Sequence, residues 1–233
     1  MSHNRLTVGF DADDTLWQNE RFFRLTEARF AALLADFAEA DHLAERLLEA
    51  EKRNLDKYGF GIKGFTLSMI ETAIEVTEGR VPSRTIREII DAGRDMLAHP
   101  VEPLPHARET LQRLAGRHRL VMITKGDLFD QERKLAASGL GRFFDAIEIV
   151  SDKSRGTYER VFGQHGDGAE NAVMIGNSLK SDIIPAIEAG AWGVFVPHEL
   201  TWAHEHAEEP AGAPRFRRIA HLGELERVLA EIG

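Results

Sequence analysis

Three carboxylates stand close together near the start of the chain. Asp11, Asp13 and Asp14 directly follow the apolar run 6–10. Like charges at this spacing repel one another, and a bound cation offsets such repulsion. A carboxylate is also a known protein nucleophile toward phosphorus. The segment therefore predicts a cation-assisted reaction at the end of a strand.

Polar side chains also follow three later apolar runs. They are Thr124, Lys125 and Gly126 after 120–123, Lys153 shortly after 147–150, and Asn177 and Asp182 after 172–175. Ligands of open α/β sheets bind beyond the carboxyl ends of the strands. One polar residue after a strand is usually a turn former. Four strands in succession that deliver such groups to one edge predict a functional site.

The elements that position these residues can be read from hydrophobic periodicity. Apolar residues recur at helical spacing between about residues 20 and 98, which predicts four helices after the first strand. From residue 101 onward helices alternate with short apolar strands, as in a parallel sheet covered by helices. We therefore predict an α/β fold with a parallel sheet core and an inserted α-helical domain. The core would comprise 1–16 and 101–233, and the insertion 17–100.

Composition narrows the class of function. The 233 residues carry a formal net charge of −9, which argues against a nucleic-acid surface. The absence of cysteine excludes disulfides, thiolate metal ligands and a cysteine nucleophile. We see no signal peptide and no apolar run near the roughly 20 residues that span a membrane. The expectation is a cytoplasmic protein, monomer or homodimer, that meets a small substrate and neither nucleic acid nor membrane.

The ordered motifs resemble the haloacid dehalogenase (HAD) superfamily over the whole chain. The matching residues are Asp11, Asp13 and Thr15 in the first motif, then Thr124, then Lys153, then the Gly-x-Ser-x-x-x-Asp segment 176–182. The resemblance implies a Rossmann-like core with a helical cap inserted after the first motif. It also implies phosphoryl transfer with Mg²⁺.

The resemblance further implies roles for single residues. Asp11 would be the nucleophile that forms an aspartyl-phosphate, and Asp13 the acid and base. Thr124 and the backbone N–H groups near Lys125 and Gly126 would hold phosphoryl oxygens, with Thr124 also counted as catalytic, and Lys153 would supply positive charge as a fourth catalytic residue. The implied Mg²⁺ ligands are Asp11, Asp13 through its backbone carbonyl, Asn177 and Asp182.

Two positions refine the reading within the superfamily. Dehalogenase-type members lack an acid at the position of Asp13, because a halide leaving group needs no proton; its presence here favours a phosphatase. The last motif usually has Asp where this chain has Asn177. We expect the Asn177 amide oxygen to bind the metal, and the alternative is a helix N-cap.

For several residues the sequence is compatible with two different roles. Lys63 lies in a glycine-rich segment, 59–64, and either contacts substrate or belongs to an ordinary turn. His198, His204 and His206 near Trp202 either bind a metal or lie in a surface loop. Asp14 is expected to bond backbone groups nearby.

The function that these residues favour is a Mg²⁺-dependent phosphomonoesterase acting on a small phosphorylated metabolite. One alternative is a phosphomutase of the same superfamily. The other is a module that binds a phosphometabolite or a protein partner and whose catalysis is weakened by Asn177.

Overall fold

The computed structural model of the chain describes residues 5–200, 202, 205 and 207–233. The chain divides into two compact units. The core unit comprises Met1–Glu20, Val101–Lys125 and Gln131–Gly233, and the helical unit comprises Arg21–Pro100 and Gly126–Asp130. The role of the helical unit as a cap stays a prediction.

A parallel sheet forms the centre of the core unit. Its strands are β1 (Thr7–Phe10), β2 (Arg119–Lys125), β3 (Ala146–Val150), β4 (Ala172–Gly176), β5 (Trp192–Phe195) and β6 (Phe216–Arg218). In the described part of the chain they lie side by side in the order β3-β2-β1-β4-β5-β6, and every neighbouring pair is parallel. The predicted α/β fold class is confirmed. The sequence prediction missed β6, a short edge strand in which two of three residues are arginine.

Helices surround this sheet and connect its strands. They are α5 (Ala107–Leu114), α6 (Leu128–Ser138), α7 (Arg155–His165), α8 (Ile184–Glu188) and α9 (Leu225–Ile232), with a π turn at Leu179–Ile183 before α8. The first residues of α6 belong to the helical unit. Right-handed parallel connections need such crossovers, which explains the alternation of helix and strand along the sequence.

Two apolar clusters cover the two faces of the sheet. Leu120 and Met122 of β2 pack into one cluster, and Val121 and Ile123 pack into the other. This alternation follows from the period of two along a strand. Gly9 in β1 leaves room for the second cluster, because a Cβ there would lie 3.0–3.2 Å from Ile123, Met174 and Phe162. The strands are thereby held in one register, and their carboxyl ends meet at one edge.

The helical unit contains nearly all of α1 (Glu20–Leu33), together with α2 (Ala40–Tyr58), α3 (Ile62–Val76) and α4 (Ser83–Ala98). Helix α1 (Glu20–Leu33) begins at the last residue of the core unit. The unit has an apolar core of its own, which includes Phe30, Leu43 and Met69. The helices predicted from periodicity are confirmed. None of the helices in the described residues has the length and apolar character needed to cross a membrane.

Candidate active site

Asp11 lies at the carboxyl end of β1, in the middle of the sheet. Its backbone N–H donates to the carbonyl of Ile175 in β4 at 2.9 Å, so the pairing of the two central strands, β1 and β4, extends to this residue. Its side chain is buried, with 6 % of the residue exposed. A carboxylate in this position has few solvent contacts, and the protein must supply its partners.

Lys153 is the main partner of Asp11. Its Nζ lies 2.5 Å from Asp11 Oδ1 and 2.7 Å from Asp182 Oδ1, and its side chain is 2 % exposed. Burial raises the pKa of Asp11 to about 7, although the Lys153 ammonium opposes that rise. Burial alone would lower the pKa of Lys153, but the carboxylates of Asp11 and Asp182 outweigh it and raise that pKa. The three groups form one buried cluster in which Lys153 stays positive.

Asp182 lies in the π turn after β4 and is the third member of this cluster. Its Oδ1 accepts from Lys153, and its Oδ2 accepts from the backbone N–H of Ser178 at 2.9 Å. A Cβ at Gly176 would lie 2.2 Å from Asp182 Oδ2, so only glycine allows this close approach. Both carboxylate oxygens therefore have donors from the protein itself. Direct metal binding by Asp182 stays a prediction, whereas its contact with Lys153 is observed.

Asn177 completes a group of oxygen atoms next to Asp11. Thr15 Oγ1 lies 3.0 Å from Asp11 Oδ2 and 3.2 Å from Asn177 Oδ1. Asn177 Oδ1 also faces Asp11 Oδ2 and the carbonyl of Asp13, and rotating the amide would place Nδ2 3.3 Å from each of them. The helix N-cap at this position is Ser178, whose hydroxyl accepts from Ser181 N–H, so the alternative N-cap role for Asn177 is wrong.

This arrangement fits a magnesium ion. A carboxylate, a backbone carbonyl and an amide oxygen face one another at Asp11, Asp13 and Asn177, and Mg²⁺ prefers oxygen ligands of these kinds. Among the described residues, no group of three His, Cys, Asp or Glu side chains has the arrangement of a metal site. The candidate set is therefore a mixed one, with a single side-chain carboxylate.

Asp13 lies two residues further on and has a different set of partners. Its Oδ1 accepts from Trp17 Nε1 at 2.7 Å and from Lys134 Nζ at 2.6 Å. Its Oδ2 accepts from Gln131 Nε2 at 2.8 Å. Sequence reasoning missed these three donors. Trp17 could have been found from its spacing of four residues, but Gln131 and Lys134 reach Asp13 from α6, about 120 positions away.

Thr124 and Lys125 end β2 beside this cluster. Thr124 is 1 % exposed, and its hydroxyl lies 3.3 Å from the carbonyl of Lys125. Lys125 Nζ does not stand alone: it donates to Ser181 Oγ and to Glu205 Oε1, both at 2.7 Å. Gly126 follows with φ of 138°, a conformation that favours glycine. Phosphate binding by these three residues stays a prediction.

Lys63 belongs to the helical unit, where Asp127 holds it. Its Nζ lies 2.9 and 3.0 Å from the two carboxylate oxygens of Asp127. The Lys63 ammonium also lies 5.6 Å from the ring centre of Phe129. Its side chain is 54 % exposed, and substrate contact by Lys63 stays a prediction.

Asp14 has the structural role that the sequence indicated. Its carboxylate accepts from the backbone N–H groups of Asn19 and Glu20, both at 2.9 Å, and so caps the start of α1. Burial raises the pKa of Asp14 to about 6, and His198 opposes the rise with Nε2 3.8 Å away. His204 and His206 lie outside the described residues, so the prediction for that histidine group is not resolved further.

The class of the protein is defined by a parallel sheet, a buried Asp–Lys–Asp cluster at the carboxyl ends of its strands and a second aspartate two residues after the first. The chain belongs to the family of haloacid dehalogenase-like hydrolases, whose sequence model matches residues 6–190. It is therefore a hydrolase, as the resemblance of its motifs implied.

Two characterised relatives are similar over most of the chain. Glyceraldehyde 3-phosphate phosphatase of Methanothermobacter thermautotrophicus is 26 % identical over 217 residues, covering 87 % of this chain and 90 % of the relative. Pyrimidine 5′-nucleotidase YjjG of Escherichia coli is 27 % identical over 172 residues, covering 69 % of this chain and 74 % of the relative.

Solved structures share the fold. A haloacid dehalogenase-like family hydrolase from Xanthomonas campestris is 42 % identical, with a TM-score of 0.88, and covers 100 % of this chain and 95 % of its own. YfnB from Bacillus subtilis, a HAD-hydrolase solved with magnesium, is 19 % identical, with a TM-score of 0.66, and covers 97 % and 99 %. L-2-haloacid dehalogenase from Xanthobacter autotrophicus is 18 % identical, with a TM-score of 0.68, and covers 98 % and 100 %. The last two show the fold alone.

Proposed function

We propose that the chain is a Mg²⁺-dependent phosphomonoesterase that acts on a small phosphorylated metabolite through a phosphorylated Asp11. The observation that carries the proposal is the pairing of two aspartates with separate surroundings. Asp11 is bound by Lys153, and Asp13 is bound by Trp17, Gln131 and Lys134. Two carboxylates held in different environments are suited to two different tasks.

Asp11 has the surroundings of a nucleophile. Its Oδ1 accepts from Lys153, while Oδ2 lies beside Thr15 and Asn177. In the first step a carboxylate oxygen of Asp11 attacks phosphorus, and the bond between phosphorus and the ester oxygen breaks. Lys153 stabilises the negative charge that develops around Asp11 and the phosphoryl group. When bound by Asp11, the Asp13 carbonyl and Asn177, Mg²⁺ would supply charge neutralisation and orientation.

We assign the acid and base role to Asp13, which stands two residues after the nucleophile. Protonated, it gives its proton to the leaving oxygen; as a carboxylate, it takes a proton from the water that attacks phosphorus in the second step. That attack breaks the bond between phosphorus and Asp11, releases orthophosphate and restores the free carboxylate. The three donors hold Asp13 in one position for both transfers. A halide leaving group would need no such proton, so Asp13 supports phosphate-ester chemistry over dehalogenation.

The relatives support the same class of substrate. Both characterised relatives carry names of enzymes that act on small phosphorylated compounds, a glyceraldehyde phosphate and a pyrimidine nucleotide. Their identities of 26 and 27 % support the class and leave the individual compound open. We propose that the helical unit acts as the cap that selects the substrate, since specificity in such folds depends on elements added to the core.

Phosphate release from a panel of phosphomonoesters tests the proposal. The wild-type protein should release phosphate with Mg²⁺ and lose that activity in excess EDTA. Asp11→Asn should abolish release, because an amide is a poor nucleophile, while Asp152→Asn at an exposed position near Lys153 should keep it. Wild-type rates in Asp11→Asn, or equal rates with and without EDTA, would overturn the assignment.

A further inference from the structure

Glu205 is a buried carboxylate that the mechanism above does not use. It comes from the long connection between β5 and β6, and its side chain is 14 % exposed. Three donors surround it: Lys125 Nζ at 2.7 Å, Ser178 Oγ at 2.5 Å and Ser181 Oγ at 2.5 Å. With this much burial, such a group is stable only because it is paired and hydrogen-bonded.

The hydrogen bonds around Glu205 are linked to one another and consistent in direction. Lys125 donates to Glu205 and to Ser181 Oγ, and both serine hydroxyls donate to Glu205. Ser178 Oγ in turn accepts from the backbone N–H of Ser181. The buried Tyr158 hydroxyl donates to the carbonyl of Ser181 at 2.9 Å, which adds a further anchor.

Each partner of Glu205 is next in sequence to a residue of the candidate active site. Lys125 follows Thr124, Ser178 follows Asn177, and Ser181 precedes Asp182. Glu205 therefore connects the end of β2 to the π turn after β4. A shift of either segment would move a hydroxyl, an amide or a carboxylate that the reaction needs within about an ångström.

Glu205 also balances the charge of Lys125. Lys153 is the ammonium in contact with Asp11, whereas the Lys125 ammonium is paired with Glu205. Removing the Glu205 charge would take this carboxylate away from the Lys125 ammonium. The side chain of Lys125 thus connects the end of β2 to the π turn, while phosphate binding by the backbone at this position stays a prediction.

We propose that Glu205 is a positioning residue, which holds the Lys125 and Ser178–Ser181 segments in the arrangement that the active site requires. This inference rests on the proposed phosphatase function. Since it acts through the geometry of the site, it should affect kcat more than KM.

A double-mutant cycle tests the inference. Glu205→Gln keeps the size of the side chain and removes its charge, and Lys125→Met removes the partner charge. Glu205→Gln should lower kcat about tenfold or more with a smaller change in KM. The double variant should lose clearly less than the sum of the two single losses, because both residues act through the same contact. Glu209→Gln, which changes an ion pair with Arg218 in the same connection, is the matched control.

Isothermal titration with Mg²⁺ alone provides a second readout. Glu205→Gln should weaken Mg²⁺ binding several-fold relative to Glu209→Gln, because Ser178 is adjacent to Asn177. The inference is overturned if Glu205→Gln matches the control in kcat, or if the losses of the two single variants simply add. If the wild type releases no phosphate, the proposed function fails, and the Mg²⁺ titration decides the role of Glu205 by itself.

Discussion

Lys134 Nζ lies 2.6 Å from Asp13 Oδ1, on a side chain that is only 8 % exposed. Its buried ammonium is in direct contact with the proposed acid and base. Trp17 Nε1 donates to the same oxygen, so Asp13 Oδ1 is held from two sides. Lys134, a residue of α6, therefore helps to fix the position of the Asp13 carboxylate.

Replacing Lys134 should therefore slow the reaction. We expect Lys134→Met to lower kcat by about tenfold or more while KM changes little, because Asp13 contacts the transferred proton and not the remote part of the substrate. Steady-state kinetics on an aryl phosphate measure this. Lys134→Arg should retain part of the rate. Equal kcat in Lys134→Met and the wild type would show that Asp13 does not depend on this contact.

The hydrogen bonds that Asp14 accepts at the start of α1 should contribute measurably to the stability of the protein. Asp14→Ala removes the acceptor for the backbone N–H groups of Asn19 and Glu20, and we expect the free energy of unfolding to fall by about 1–2 kcal/mol. Urea denaturation measures the change. Asp14→Asn keeps one acceptor oxygen and should lose less. Asp36→Ala at an exposed position is the control, and a loss no greater than that of the control would contradict the capping role.

Much of the site could be predicted because its residues stand in short motifs at strand ends. Asp11, Lys153 and Asp182 are separated by up to 171 positions, yet each follows an apolar strand, and parallel strands bring such ends together. The fold was predictable because its buried strands are continuous apolar runs and its helices carry apolar residues at regular spacing.

Other partners left no local signal in the sequence. Glu205 reaches Lys125 across 80 positions, from a connection without regular periodicity. Gln131 and Lys134 lie in a helix whose polar residues are typical of a solvent-exposed helix face. Their contact with Asp13 is visible only in the tertiary structure. Strand β6 was missed because its arginines do not resemble a buried strand. Contacts of this kind depend on packing rather than on spacing.

Metal affinity should follow the charge at position 177. Asn177→Asp adds a carboxylate to the oxygens of Asp11 and Asp13, and we expect Mg²⁺ to bind about tenfold more tightly; Asn177→Ala should bind it more weakly. Isothermal titration with MgCl₂ measures both. Asn171→Ala, at a position on the surface, is the control. Unchanged affinity in Asn177→Ala would exclude Asn177 as a ligand.

The pH dependence of stability should reveal the Glu205 cluster. Burial alone would raise the pKa of Glu205. Lys125 and the hydroxyls of Ser178 and Ser181 outweigh burial and lower that pKa to about 2, from an ordinary value of 4.5. A carboxylate with a lowered pKa in the folded state stabilises the protein above its unfolded pKa. That contribution, on the order of 3 kcal/mol, is lost as the pH falls from 4.5 through 2.

Urea unfolding of the wild type and of Glu205→Gln therefore has a defined expected outcome. The advantage of the wild type in free energy of unfolding should be constant between pH 7 and 5, and it should narrow as the pH is lowered further. Glu209→Gln should show no comparable narrowing. An advantage that stays constant or widens below pH 4.5 would contradict the assignment of the charged form to Glu205.

The central claim is that Asp11 becomes phosphorylated during turnover. Acid quenching of the protein with a phosphomonoester and Mg²⁺, followed by borohydride reduction, converts an aspartyl-phosphate into homoserine, which peptide mass spectrometry locates. We expect homoserine at position 11 in the wild type, none at Asp13 or Asp14, and none without substrate. Turnover with an unmodified Asp11 in every quenched sample, or homoserine at another aspartate, would contradict it.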